Sequence, residues 1–280
     1  MSSLLDLWRG IRRHPWKTLG YIFTSFSVIF TLARGITFFI PAIKIEGPVP
    51  LFAAVTISIA FGLQKVWKPS RVEITVANCN TTIEILFGDL FKQDGIRVIS
   101  VSEFFDSKLG MPVSDKSVHG IFLQKCFGGH PEAFDKQVEE QLKHVEYQPV
   151  DKSDGKCKCY PIGATALLTA NDDRYILIAF AKADPVTCKA YSDVKIMWDS
   201  LHWLWQRVRI ESGGYAVNLP LVGSGLSGLG LPTRDLLNLI ILSAITETKA
   251  KEITQRIRIV LHRDRFDHVD LRDVRQHWKE

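Results

Sequence analysis

The sequence predicts a mixed α/β domain with helices flanking its sheet, preceded by a two-helix transmembrane hairpin. Two N-terminal stretches stay apolar for about 20 residues each, the length that crosses a hydrocarbon core of about 30 Å. From Arg71 onward, period-2 and helical patterns alternate, with a glycine-rich turn after a late strand. The boundary falls near Lys68 to Arg71, giving a hairpin over 1–70 and a domain over 71–280.

Between Leu19 and Ile40 only Arg34 carries a charge, and between Gly47 and Leu63 nothing does. Spans over about 18–40 and 47–67, joined by "PAIKIEGP", make the hairpin. A cleaved signal peptide is the rival reading of the first span, since Arg9, Arg12, Arg13 and Lys17 precede it. No small-x-small cleavage site follows, and a second apolar run comes at once, which favours the hairpin. Lys65, Lys68 and Arg71 follow the second span, against Lys44 alone in the connection, so both termini should face the cytoplasm. Trp16, Tyr21 and Trp67 suit headgroup depth. Arg34 either marks the outer boundary of the first span or lines a pore built from several hairpins.

The net charge of +5 gathers around the membrane ends, where it suits anionic headgroups. Beyond residue 72 no basic stripe with interleaved aromatics is present, so no nucleic-acid partner is expected. The five cysteines are scattered and are expected to stay reduced; Cys157-Lys-Cys159 lacks the C-x2-C spacing of a zinc site. No spacing among the histidines suggests a metal.

Within the domain, "RVEITVAN" and "TTIEILFGD" alternate as half-buried strands around "NCN", and "IRVISVS" is a third strand. "HPEAFDKQVEEQLKHV" places Ala133, Phe134, Val138, Leu142 and Val145 on one helical face. "PIGATALLTA" and "RYILIAFAKAD" read as strands paired around "NDD". A helix from about Asp193 to Glu211 should bury Val194, Met197, Trp198, Leu201 and Leu204. "YAVNLPLV" is the strand that feeds the glycine loop, and "LLNLIILSAI" is apolar on all sides but too short to span, so it reads as a buried helix. "IRIVLHRD" closes the sheet, and "DHVDLRDVRQHWKE" is a polar tail helix.

The loop "VGSGLSGLG", residues 222–230, contains Gly223-x-Gly225-x-x-Gly228. It comes too late in the chain for a dinucleotide fingerprint, and no acidic strand tip follows at the required spacing. No Gly-Lys-Ser/Thr follows either, which excludes the Walker pattern. A plain Gly/Ser connection remains one reading. The other is an anion nest for a phosphate or diphosphate, with Ser224 and Ser227 as extra donors. An acidic side chain at Gly225 is expected both to crowd that turn and to repel the anion.

"YAVNLPLVGSGLSGLG", followed by "PTRDLLNLIILSAI", resembles the diphosphate-binding loop of macro domains, the α/β modules that hold ADP-ribose and its relatives, and "LFGDLF" resembles their Gly-Asp signature. The resemblance implies that the Asp89 carboxylate accepts from the adenine amino group; an ordinary helix N-cap is the alternative for that residue. Two spans before such a domain, with "YPIGATA" and "SVHGIF", resemble a narrower family, the membrane-anchored macro effectors of the bacterial Thoeris anti-phage system. That likeness implies a partner TIR-domain enzyme making an ADP-ribose-derived signal from NAD, reported for this branch as a histidine adduct. It further implies an inner-membrane effector that self-associates on binding and disrupts the host bilayer during infection.

Macro-fold hydrolases carry an Asn-rich segment after the third strand, where this chain has "ISVSEFFDSKLG". Its lack of that Asn points to binding without catalysis. Phe104 and Phe105 would offer bulk and stacking surface. Glu103 or Asp106 would meet an α-amino group on the ligand, or, in an alternative membrane-anchored ADP-ribose hydrolase, serve as base and acid. His119 either shapes the pocket or packs beside Gly120. The expected ligand-binding set is Asp89 and Leu90; Ser102, Glu103, Phe104, Phe105 and Asp106; His119; and Val222, Gly223, Ser224, Gly225, Leu226, Ser227, Gly228 and Leu229. No cofactor beyond the ADP-ribose derivative is expected. A passive anchor for a nucleotide-binding partner is a third reading.

Overall fold

A computed structural model describes residues 7–8, 11–12, 15–43, 45–225 and 228–278. Arg9, Arg13 and Lys44, used above for orientation, and the loop residues Leu226 and Ser227 lie outside the described residues. The chain divides into two compact units, one of residues 1–70 with Asp270–Arg272, the other of the remainder.

In the first unit α1 (Pro15–Phe39) and α2 (Pro48–Val66) are both long and apolar enough to cross a membrane. They pack through small residues: Ser58 and Gly62, one helical turn apart on α2, are buried, and a Cβ on Gly62 would lie 2.4 Å from the Ile22 side chain. Close backbone approach at small residues is how helices associate where no hydrophobic force separates helix from lipid. Large apolar side chains such as Phe23, Phe38, Phe39 and Phe52 point outward. Arg34 is exposed within α1, which continues past it to Phe39.

The second unit is built on an eight-stranded mixed sheet. In chain order its strands are β1 (Arg71–Thr75), β2 (Thr82–Phe87), β3 (Ile96–Ser102), β6 (Thr165–Ala170), β7 (Asp173–Ala183), β8 (Ala190–Tyr191), β9 (Val217–Pro220) and β10 (Arg256–Leu261); β4 (Gln148–Pro149) and β5 (Lys158–Cys159) form a separate pair. The spatial order is β1-β2-β10-β9-β3-β7-β6, with β8 added on β7. The five central strands run parallel, while β1 on β2 and β6 on β7 are antiparallel hairpin partners. The helices are α3 (Val118–Phe127), α4 (Pro131–Leu142), α5 (Val194–Glu211), α6 (Thr233–Ala250) and α7 (Leu271–His277).

Both faces of the sheet are covered. Tyr175, Leu177 and Ala179 of β7 join Phe122 and Leu123 of α3 and Phe134, Val138 and Leu142 of α4 in one core cluster. The opposite parity, Ile176, Ile178 and Phe180, is equally buried. There α5 packs on β7 and α6, and the buried Trp205 indole donates to Ser243 Oγ at 2.9 Å. Strands buried on both faces explain the unbroken apolar run "YILIAFA".

Several elements differ from expectation at their margins. Ala133 is exposed on the outer side of α4, whose buried residues are Phe134, Val138 and Leu142, and Val145 lies beyond the end of α4 at Leu142 and is half-buried. On α5 the buried stripe is Met197, Ser200, Leu201, Leu204, Trp205 and Val208, so Val194 and Trp198 stay largely outside. The "LLNLIILSAI" run is the middle of the longer, two-sided α6, with Leu242 exposed. β10 does not close the sheet but inserts between β2 and β9. The tail helix is not polar all round, since Leu271 and Val274 are buried.

Candidate functional site

The carboxyl ends of β2, β10, β9, β3 and β7 share one edge of the sheet, because those strands are parallel. After β9 the chain turns back through α6 toward the β2 side; after β3 it leaves toward β6 and β7. β3 and β9 therefore flank a topological switch point, the position where open α/β sheets bind ligands. Their ladder comprises only Ile96–Val217 and Arg97–Asn218, so the carboxyl halves of the two strands are not paired with each other. The Gly88–Asp89 turn, the 102–106 segment and the 222–229 loop all emerge at this edge.

The loop after β9 is a tight backbone hairpin. Gly223 has φ 79, and its carbonyl accepts from Leu229 N at 3.0 Å. A Cβ on Gly223 would lie 2.6 Å from the Leu229 side chain, and one on Gly228 would lie 2.7 Å from the Gly225 carbonyl oxygen. Gly225 differs: a Cβ there meets nothing within 4 Å, and its φ is not left-handed. The expectation that a side chain at Gly225 crowds the turn is therefore corrected; crowding belongs to Gly223 and Gly228. Ser224 Oγ donates to the Leu221 carbonyl at 2.6 Å, so this hydroxyl braces the loop and is not the outward donor expected. Val222 is buried, with its amide on the Pro220 carbonyl at 2.7 Å. Among the described residues, the amides of Gly223, Ser224, Gly225 and Gly228 meet no acceptor. Unpaired amides on consecutive residues form the concavity that takes an anion.

Asp89 leaves β2 at the same edge, where Gly88 N donates to the Leu261 carbonyl at 2.9 Å. Its Oδ1 caps the short 3-10 turn by accepting from Phe91 N at 3.0 Å, and Lys125 Nζ stands 3.9 Å from Oδ2. The N-cap role is thus present, the side chain is partly exposed, and among the described residues Oδ2 meets no partner but that distant cation. Leu90 sits in the hydrophobic core cluster.

The segment after β3 is more enclosed than its sequence implied. Phe104 and Phe105 are 1% and 0% exposed, so the expected stacking surface is interior packing; Phe105, at φ 49, meets Tyr160 edge-on with ring centroids 5.7 Å apart. Asp106 is buried and fully engaged: Lys152 Nζ lies 2.6 Å from Oδ2, Ser102 Oγ donates to the same oxygen at 3.3 Å, and Lys156 N donates to Oδ1 at 2.8 Å. It is corrected from a ligand partner to the anchor of the 151–157 segment. Glu103 stays half-buried and accepts from Ala183 N at 3.4 Å, and burial pushes its carboxyl above the usual range. His119 is buried against Phe134, with ring centroids 5.8 Å apart and Nε2 unpartnered; burial and then the Lys156 charge push it down to about 3. It thus packs from α3 against α4.

Sequence reasoning missed Lys152, Asn218 and Arg265. The buried Asn218 side chain donates to the carbonyls of Asp94 and Ile96 at 2.7 and 3.1 Å, tying the β2–β3 crossover to β9. Arg265 Nη2 donates to the Ser224 carbonyl at 3.2 Å. Each reaches a partner more than 40 positions away, and no local pattern marks such pairs.

Comparison with solved structures gives macrodomains. The Oceanobacillus iheyensis macrodomain with ADP aligns at 12% identity and TM-score 0.50, covering 74% of this chain and 94% of that one. A point mutant of that macrodomain aligns at 12% identity and TM-score 0.51, covering 74% and 93%. At this identity the likeness concerns fold alone. No curated protein matches. Residues 83–262, more than half of the chain, match the family model described as Thoeris protein ThsA, Macro domain. With a macro-type sheet, a glycine loop at its switch point and a match that spans both, this chain belongs to the Thoeris ThsA macro-domain family.

Proposed function

We propose that the protein is a ligand-gated membrane effector whose macro domain senses an ADP-ribose derivative made by a TIR-domain partner. The observation that carries this reading is the set of unpaired loop amides at the switch point, on the same sheet edge as Asp89. A diphosphate in the 222–229 loop would accept from those amides, and the second Asp89 oxygen would accept from an adenine amino group. Binding without turnover is the favoured chemistry, because Asp106 is committed to Lys152 and leaves no paired acid and base after β3. The rival, a membrane-anchored ADP-ribose hydrolase, predicts product when ADP-ribose conjugates are incubated with the full chain.

On binding, the ligand favours an assembled state and the N-terminal helices act on the bilayer. A ligand drives that assembly only by binding the assembled state more tightly; moving it from 1:99 to 99:1 takes about 5.5 kcal/mol of differential affinity. The test is calorimetry and sedimentation of the full chain in detergent micelles with ADP-ribose and its histidine adduct. Asp89→Ala should weaken binding by about 1.5–3 kcal/mol without unfolding the domain. Unchanged affinity in that variant would reduce Asp89 to a cap.

A further inference from the structure

The segment after β10 touches the end of β2, next to the Gly88–Asp89 turn, and the 222–229 loop. β10 lies between β2 and β9, so its carboxyl end emerges between the Gly88–Asp89 turn and the 222–229 loop. A tight turn over Arg263–Arg265 fixes the chain there, with Arg265 N donating to the His262 carbonyl at 2.9 Å and the Arg265 carbonyl accepting from His268 N at 3.0 Å. The Phe266 ring meets Phe87, two residues before Asp89, at 5.0 Å between centroids. The adjacent Arg265 reaches the other way, to the Ser224 carbonyl at 3.2 Å.

Arg265 is half-buried, and among the described residues that carbonyl is the acceptor its guanidinium meets and no carboxylate pairs with it. A guanidinium has five N–H donors in a planar fork, so one carbonyl leaves most of them unused. Among the described residues a cation without a carboxylate partner thus stands at Ser224, in the same loop as the unpaired amides, an arrangement suited to a phosphate. We infer that Arg265 is a ligand-contacting cation of this site, which bonds a phosphate oxygen while the loop amides hold the others. Its fork matches phosphate oxygens two at a time, and the 222–229 loop has no basic residue of its own. The assignment rests on the diphosphate reading and adds a residue beyond the family match, which ends at 262.

The experiment measures affinities of the full chain in detergent micelles for ADP-ribose, ADP and adenosine at two salt concentrations, in wild type, Arg265→Gln and Arg265→Lys. Arg265→Gln should weaken ADP-ribose and ADP about tenfold or more, leave adenosine unchanged and flatten the salt dependence. Arg265→Lys should recover part of the loss, because it restores the charge without the fork. Wild-type ADP-ribose affinity in Arg265→Gln overturns the assignment. So does an equal loss for adenosine, which would mean that Arg265 only braces Ser224. Wild-type protein that binds none of the three would sink the sensor reading itself, and this assignment with it.

Discussion

Asp106 and Lys152 show how a single pair can decide what a loop does. Their side chains are 2% and 0% exposed, and each compensates a charge that would otherwise be buried alone. Lys152→Ala should cost the domain about 3–5 kcal/mol in denaturant unfolding, because it leaves the carboxylate buried without its cation. The double variant with Asp106→Ala should recover part of that loss; a simple sum of the two single losses would show that the pair is not coupled. His119 makes a second prediction. Its folded pKa of about 3 lies below the unfolded value of 6.5, so between those values the unfolded chain binds the extra proton. Stability from the neutral imidazole is therefore present above 6.5 and lost as pH falls toward 3, at up to about 1.4 kcal/mol per pH unit. Unfolding of His119→Leu at pH 5 and pH 7 should differ less than that of wild type. An identical difference would place the titrating group elsewhere.

At the scale of elements, the 222–229 loop and the segment after β3 divide the work. The loop keeps its amides open by spending other groups on itself, the Ser224 hydroxyl on Leu221 and the Leu229 amide on Gly223. Its glycines are not equivalent. Gly228→Ala places a Cβ against the Gly225 carbonyl and should weaken ADP-ribose binding about tenfold or more, whereas Gly225→Ala has open space and should bind like wild type. Gly225→Glu should still fail, by charge alone. Calorimetry on the three variants checks the ranking, and equal losses at both alanines would show that the loop rearranges on binding. The helix pair at the N-terminus follows a separate logic, with Ser58 and Gly62 setting its close approach.

For the whole molecule, the proposed function requires the sensor and the membrane-active segment to share one chain. Tethering to a bilayer raises the local concentration of sensors, so each ligand-dependent contact needs less intrinsic affinity. The basic residues outside the spans predict that residues 71–280 face the cytoplasm. Protease added to intact spheroplasts should spare that portion, and detergent should expose it. Digestion before detergent would reverse the topology and remove the macro domain from any NAD-derived signal.

Periodicity and punctuation were enough to place most elements, though not α3 or the short β4, β5 and β8. Two apolar runs predicted α1 and α2, alternation predicted β1 and β2, "NDD" predicted the β6–β7 hairpin, and the glycines predicted a turn between a strand and a helix. These signals are local, since backbone preference and the one-sided burial of a helix or strand are written in neighbouring residues. The Gly-Asp turn and the glycine loop were legible for the same reason. Only the tertiary structure decided that β10 lies inside the sheet, that Phe104, Phe105 and Asp106 turn inward, and that Arg265 reaches Ser224. A buried carboxylate and an exposed one look identical in sequence. What separates them is a partner 46 positions away, Lys152, brought near by strand order that no local pattern encodes.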